Sequence, residues 1–378
     1  MWNPKPFFIV ISICFFALSK CTSAASGGKP LVTASGGKPL VTAITKDANT
    51  LLYTAPLKDG RPLVVDLSGP AITLACSSKT GTVTRLSASA TDGANPLFPV
   101  SFSAAASCAS KAPAGAVGVA GLAPSSQSSF PAQVARTQKV AKKVALCLPS
   151  DGKTTSGNSV GVAIFGGGPL FFIPSDRGDF TTMLAGTAPL HGFNGSPGYF
   201  LSATGITVDR KKVPLSVSGP LVVGLSSTIP YTALRADVYA PFVKAFDQAA
   251  ASPNFSPFVS RVAAVAPFER CYNSTKLSVG LSRLGYPVPQ IELLLEGGQS
   301  FSVLGANSMV QVNANTACLG FARMKAAGGH QAPAAVIGGF QLENHLLVLD
   351  EEKKQFGFTT YLGAIGLSCS SFNFTRAA

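Results

Sequence analysis

The sequence predicts a mainly β protein made of two similar lobes, and three observations carry that reading. Short apolar and β-branched runs (LLYTAPL, DGRPLVVDLSG, AITLAC, VGVAIFGGGPLFFI and GITVDRKKVPL) are separated by Gly, Pro, Asp and Asn, the punctuation of strands and turns. An apolar run leading into a small turn is written twice, as PLVVDLSGP at 62–70 and PLVVGLSST at 220–228. Downstream of each copy lies one stretch with helical spacing: PAQVARTQKVAKKVALCL at 131–148, where Pro131 suits a first helical turn, and ALRADVYAPFVKAFDQAAA at 233–251. The lobe boundary is expected near Pro189 to Pro197.

Taken in order, the chain opens on MWNPKPFFIVISICFFALSKCTSA. Lys5, the apolar run from Phe7 to Leu18 and the small residues Ser23, Ala24 and Ala25 read as a secretory signal peptide over 1–25, too short to span a bilayer. SGGKPLVTA follows at 26–34 and again, unchanged, at 35–43, which is expected to form a flexible lead-in over 26–43. A first lobe over 44–190 and a second over 191–378 complete the expected organisation. With 378 residues and 46% hydrophobic content, the chain can bury a large core.

The formal charge is +13; removal of the leader takes Lys5 and Lys20 and no acid, which leaves +11. A basic exported chain meets acidic cell-wall polysaccharide as a partner, and a solvated basic surface explains the charge equally well. The cations are scattered and no aromatic residues interleave with them, which argues against a nucleic-acid platform. Cys14 and Cys21 leave with the leader, so Cys76, Cys108, Cys147, Cys271, Cys318 and Cys369 remain as an even set for three disulfides. No C-x-x-C spacing is present and His191, His330 and His345 are the only imidazoles, so neither a metal nor a cofactor is expected. Sequons at Asn194, Asn254, Asn273 and Asn373 fit an exported glycoprotein, with Pro197 and Pro257 just after two of them.

The repeated turn raises a chemical question. A carboxylate on a tight turn after an apolar strand is half of a paired-carboxylate hydrolase, in which two acids share one proton and activate water. The first copy has Asp66, but the second has Gly224 at the matching place, and no Asp or Glu occurs between Asp209 and Asp237. A lone Asp66 reads as a hydrogen-bonded turn residue. No G-x-S-x-G elbow is present, the cysteines pair off evenly, and FGGGPL at 165–170 lacks the Lys of a phosphate loop and reads as a tight β turn.

At this point a resemblance enters. AVIGGFQLENHLLVLDEEKKQFGF at 335–358 is similar to the closing strand, Gly pair, short helix and hairpin of the pepsin-like aspartic protease fold. ITKDANTLLYTAPLKDG (44–60), GVAGLAPSSQSSFPAQVARTQKVAKKVALCLP (118–149), VGVAIFGGGP (160–169), YTALRADVYAPFVKAF (231–246), AVAPFERCYNS (264–274) and NSMVQV (307–312) resemble the cereal TAXI-type endoxylanase inhibitors. Basic 7S globulins and extracellular dermal glycoproteins are the wider relatives, and the resemblance spans 39–369. It implies a two-lobed pepsin-like fold with a few short helices, no proteolysis, and a monomer exported to the plant apoplast. It also implies inhibition of a microbial cell-wall-degrading glycosidase, above all an endo-1,4-β-xylanase of family 11 or 12. The alternatives are a storage or receptor-like pseudo-protease and, last, an active aspartic endopeptidase.

Alignment on ADVY puts the second protease Asp at Ser226, whereas the internal match puts it at Gly224. Family position pairs Cys76 with Cys108, Cys147 with Cys369 and Cys271 with Cys318. Two departures stand out. Only fifteen residues run from Ser77 to Thr91, where the family carries a longer Cys-rich stretch and the flap-like hairpin. The family's inhibitory His just before the last Cys, which enters the xylanase cleft between two carboxylates about 5 Å apart, is missing from YLGAIGLSC at 361–369. The family's subsite-filling Leu has candidates in Leu284 and Leu281, and Tyr361, Leu362 and Ile365 are the tail candidates for contact, with packing onto the second lobe as their other reading.

Overall fold

The computed structural model describes residues 37–76, 81–124, 126–150, 160–175, 177–278, 282–325 and 332–376; the leader and Leu281 lie outside the described residues. Among the described residues the chain forms three β-sheets and a few short helices. The expected flexible lead-in is corrected at its end: Leu40–Lys46, which begins inside the second SGGKPLVTA copy, is a strand near the middle of a twelve-stranded sheet. It pairs with Val160–Phe165 over six register positions, and Leu40 and Val41 are buried. Apolar and β-branched residues cover both of its faces, so burial holds in place a repeat that is too short to order itself.

Beyond that strand the sheet continues through Tyr53–Lys58, Arg61–Asp66, Gly118–Gly121, Ile72–Ala75, Phe98–Ala109 and Thr82–Ala90. On its other side lie Lys143–Cys147, Leu346–Asp350, Gln355–Phe358 and Gly186–Pro189. The closing hairpin of the chain therefore belongs to the first sheet, although its residues fall within the expected second lobe. The chain passes to a nine-stranded sheet between Pro189 and His191. That second sheet is organised on Ser196–Val208, Leu221–Leu225 and Ala335–Ile337.

The helix expected over 131–148 is shorter than its pattern. Phe130–Gln138 is helical, with a Pro in its first turn, and Lys139 closes it in the left-handed conformation (φ 53°). Lys143–Cys147 then enters the first sheet, because VALC is apolar without interruption and pairs on both sides. The second expected helix forms over Ala236–Ala250.

Disulfides join Cys76–Cys108, Cys147–Cys369 and Cys271–Cys318, the pairing that the resemblance implies. No helix among the described residues is long and apolar enough to cross a membrane. Among the described residues no cluster of His, Cys, Asp or Glu is arranged to hold a metal.

His345, the imidazole nearest the tail, faces inward. Its ring lies between Phe301 and Tyr361, its Nδ1–H donates to the Thr359 carbonyl at 3.1 Å, and its buried Nε2 has no hydrogen-bond partner among the described residues. A proton on Nε2 meets no acceptor, and burial pulls the imidazole down to about 4. The unfolded chain takes up that proton near pH 6.5 and the folded chain does not, so stability is complete above that value and falls as pH drops towards 4. The loss at pH 4 is expected to be about 3 kcal/mol. Glu351, whose carboxyl burial raises, acts with the opposite sign. Chemical unfolding between pH 7 and pH 4 checks this: His345→Asn is expected to flatten the slope, and an unchanged slope contradicts it.

Candidate functional site

The two repeated turns meet. Arg61–Asp66 and Leu221–Leu225 each run parallel to a partner strand, Gly118–Gly121 and Ala335–Ile337. Asp66 closes the first strand and its carbonyl accepts from Leu122 N–H at 2.7 Å; Ser226 follows the second and its N–H donates to Ile337 O at 2.9 Å. Gly224 sits within the strand, opposite Phe200 and Val336. Ser226, where alignment on ADVY puts the second protease Asp, thus stands at the end of its strand, and Gly224, the internal match, lies two residues back within it.

Local chemistry is the same on both sides. Asp66 Oδ1 accepts from the N–H of Ser68 at 2.9 Å and from its hydroxyl at 2.7 Å. Ser226 Oγ accepts from Thr228 N–H at 3.3 Å and Ile229 N–H at 3.2 Å. Either side chain caps its own turn, but only one brings a charge. Between the turns stands Ser227, 1% exposed, whose hydroxyl donates to Val65 O at 2.6 Å and accepts from Leu67 N–H at 3.1 Å. Sequence reasoning passed over Ser227; the signal was its place beside Ser226, where it ties one turn to the other.

Next to the first turn, an ideal Cβ on Gly198 lies 3.5 Å from Ser68 Cβ, so the strand runs close over it. The Tyr199 hydroxyl lies 2.8 Å from Leu122 O and 3.0 Å from Glu351 Oε1, and Lys142 Nζ lies 2.5 Å from Glu351 Oε2. Burial raises the Glu351 carboxyl, with Lys142 and Tyr199 opposing. A cavity of about 350 Å³ opens here, with Lys142, His191, Tyr199 and Glu351 among its lining residues. Nothing in the sequence pattern singles out Tyr199 or Glu351, which are 152 residues apart.

The candidates for glycosidase contact separate by exposure. Leu284 is 42% exposed on the turn Ser282–Gly285. Tyr361 and Leu362 are 4% and 0% exposed, so their expected role as contact residues is corrected: they pack inward, Tyr361 against His345 and Leu362 within the core beside Cys369. Ile365 is half-buried at the end of the short 3₁₀ turn Leu362–Ile365. Leu281 lies outside the described residues. The Leu284 turn and the tail touch through Arg283, whose carbonyl lies 3.1 Å from an ideal Cβ on Gly363 and whose Nη1 lies 3.1 Å from one on Gly366.

Asn194, at φ 45° in a hairpin turn, and Asn254 are exposed; Asn273 and Asn373 are half-buried. The Oδ1 of each of the latter two accepts from the sequon threonine, Thr275 at 2.6 Å and Thr375 at 2.7 Å.

Comparison with known proteins places this geometry. The family model described as xylanase inhibitor N-terminal matches residues 75–167, and the one described as xylanase inhibitor C-terminal matches residues 198–360. A rice protein named chitinase CLP is 46% identical over 442 aligned positions, which cover 98% of this chain and 99% of the rice protein. That alignment is longer than the chain, so it steps over residues that the rice protein has and this chain lacks. Among solved structures, the crystal structure of edgp is 27% identical, with a TM-score of 0.74 over 90% of this chain and 99% of that one. Basic 7S globulin from soybean is 23% identical, with a TM-score of 0.68 over 89% and 100%. The chain belongs to the xylanase-inhibitor family of TAXI-type and basic 7S globulin-like proteins, on the two-lobed pepsin-like fold shared with aspartic proteinases.

Proposed function

We propose that this chain is an exported, non-proteolytic protein that binds and inhibits a microbial cell-wall-degrading glycosidase, an endo-1,4-β-xylanase of family 11 or 12 first of all. The observation that carries the reading is the contrast between two places. The paired turns keep their hydrogen bonds but have one carboxylate, Asp66, with Ser226 opposite. The turn Ser282–Gly285 instead presents an exposed leucine beside the tail. Peptide hydrolysis on this fold needs two acids sharing a proton; inhibition needs only a surface that fits a cleft. Apoplastic export, glycans at Asn194, Asn254, Asn273 and Asn373, and contact with acidic wall polysaccharide are parts of the same proposal.

The test is residual activity of family 11 and family 12 hydrolases incubated with the purified protein. At least one is expected to lose activity at micromolar protein; loss in none contradicts the reading. A peptidase assay at acidic pH is expected to show no pepstatin-sensitive cleavage, and cleavage that Asp66→Ala abolishes contradicts the non-proteolytic part.

The name of the rice relative favours a second reading, in which the chain itself acts on chitin. The Glu351 carboxyl, which burial raises within its cavity, is the acid that such chemistry would draw on. Release of sugar from chitin oligosaccharides, lost in Glu351→Gln, supports that reading over inhibition. A storage or receptor-like role predicts neither inhibition nor hydrolysis.

A further inference from the structure

Resting on the glycan at Asn373 in the reading above, we propose that the first sugars of that glycan lie on an exposed apolar patch formed by Phe171 and Ile173 and shield it from water. Along PLFFIP at 169–174 the residues alternate: Leu170 and Phe172 are buried in the core, while Phe171 and Ile173 are 38% and 53% exposed. An alternating surface segment ordinarily turns polar residues outward. Here the outward pair is an aromatic ring and a branched aliphatic chain, side by side on one face. Adjoining apolar side chains on a surface mark a place that another group covers.

The backbone brings Asn373 to this patch from two sides. Ile173 N–H donates to Ser371 O at 2.7 Å, two residues before the asparagine. Asn95 Nδ2 donates to Asn373 O at 3.2 Å and Leu97 N–H to Thr375 O at 2.9 Å, so the tail runs along 95–97. An ideal Cβ on Gly93, just before that segment, would lie 2.5 Å from Phe171 Cε2, so the Phe171 ring rests on the same loop. Phe372 and Phe374 pack against the core with their rings 4.7 Å apart. Alternate residues of an extended backbone face opposite ways, which turns Asn373 outward between them. Its Oδ1 accepts from the N–H and hydroxyl of Thr375, and its Nδ2 makes no hydrogen bond among the described residues. Attachment joins a sugar C1 to that Nδ2, which loses a proton as the lipid pyrophosphate that carried the oligosaccharide leaves. Pyranose rings present apolar C–H faces that suit an aromatic ring and an aliphatic chain, while their hydroxyls stay in water.

The experiment uses the full chain secreted from a glycosylating host and follows, by peptide mass, release of each glycan from the folded protein by a peptide N-glycosidase. Asn273 is the internal control, since it is half-buried like Asn373 and its Oδ1 also accepts from its sequon threonine. Release at Asn373 is expected to be at least about 10-fold slower than at Asn273, because the enzyme must wait for the sugars to lift off the apolar surface. Phe171→Ser combined with Ile173→Ser is expected to remove most of that difference and to leave release at Asn273 unchanged. Thr375→Ala, which abolishes attachment, is expected to bind the apolar dye anilinonaphthalene sulfonate more than wild type does, and adding the two serine substitutions should cancel the gain. If Asn373 carries sugar and its release is equally slow in the serine variant, or as fast as at Asn273 in wild type, the covering role is overturned while the glycan stands. If Asn373 carries no sugar, both fall. If the glycosylated wild type self-associates and the serine variant does not, a second copy of the chain occupies the patch and the proposal is overturned.

Discussion

Glu343→Ala is expected to cost about 3–5 kcal/mol of stability, read as a shift of the chemical unfolding midpoint. Glu343 lies just after the short helix Gly339–Leu342, and its Oε1 accepts from Lys46 Nζ at 2.7 Å and from the Tyr53 hydroxyl at 2.6 Å. The side chains of Lys46 and Glu343 are 6% and 2% exposed. Removing the carboxylate leaves an ammonium in the interior facing the rings of Tyr53 and Phe340, which lie about 6 Å away and compensate only in part. Glu343→Gln should keep an acceptor for Tyr53 and fall between the two. Lys46→Met combined with Glu343→Leu should recover most of the loss, because the pair's cost lies in breaking it rather than in lacking it. A Glu343→Ala variant as stable as wild type contradicts this account.

Ser227→Ala is expected to cost about 2–4 kcal/mol, although it removes a single oxygen. The change leaves Val65 C=O and Leu67 N–H without the partner that joins the two turns, and a buried polar group left unsatisfied costs about 1–3 kcal/mol. Ser227→Thr keeps the hydroxyl and should cost far less. By contrast, Asp66→Ala removes hydrogen bonds confined to a half-exposed turn and should cost about 1 kcal/mol or less. The order Ser227→Ala well above Asp66→Ala separates a scaffold role for these turns from a role for the carboxylate; the reverse order contradicts it.

Much of this was legible in the sequence, for physical reasons that differ by element. The period-2 strands and the turns marked by Gly and Pro gave the β class because alternation and punctuation are local signals. PLVVDLSGP and PLVVGLSST announced two turns, but similarity of apolar residues alone slid the second by two positions. Alignment on ADVY points instead to Ser226, whose side chain caps the second turn. The helix pattern over 131–148 ran too far because KKVALCL suits a helix or a strand, and pairing with Leu346–Asp350, some 200 residues away, decides for the strand. LVTA of the duplicated lead-in looked unstructured because nothing nearby in sequence buries it. Tyr361 and Leu362 looked available because their burial depends on His345 and Cys369 rather than on their neighbours. Glu351 gave no signal at all, since a lone charge acquires meaning only from what lies across from it.

The central claim is that function has moved from the paired turns to the Leu284 turn beside the tail. Inhibition constants for Asp66→Ala and Leu284→Ala, measured side by side against one sensitive xylanase, test it most directly. The account predicts no change for Asp66→Ala and a loss of at least about 10-fold for Leu284→Ala, the worth of one buried leucine side chain. Inhibition that survives Leu284→Ala but is lost in Asp66→Ala would contradict it.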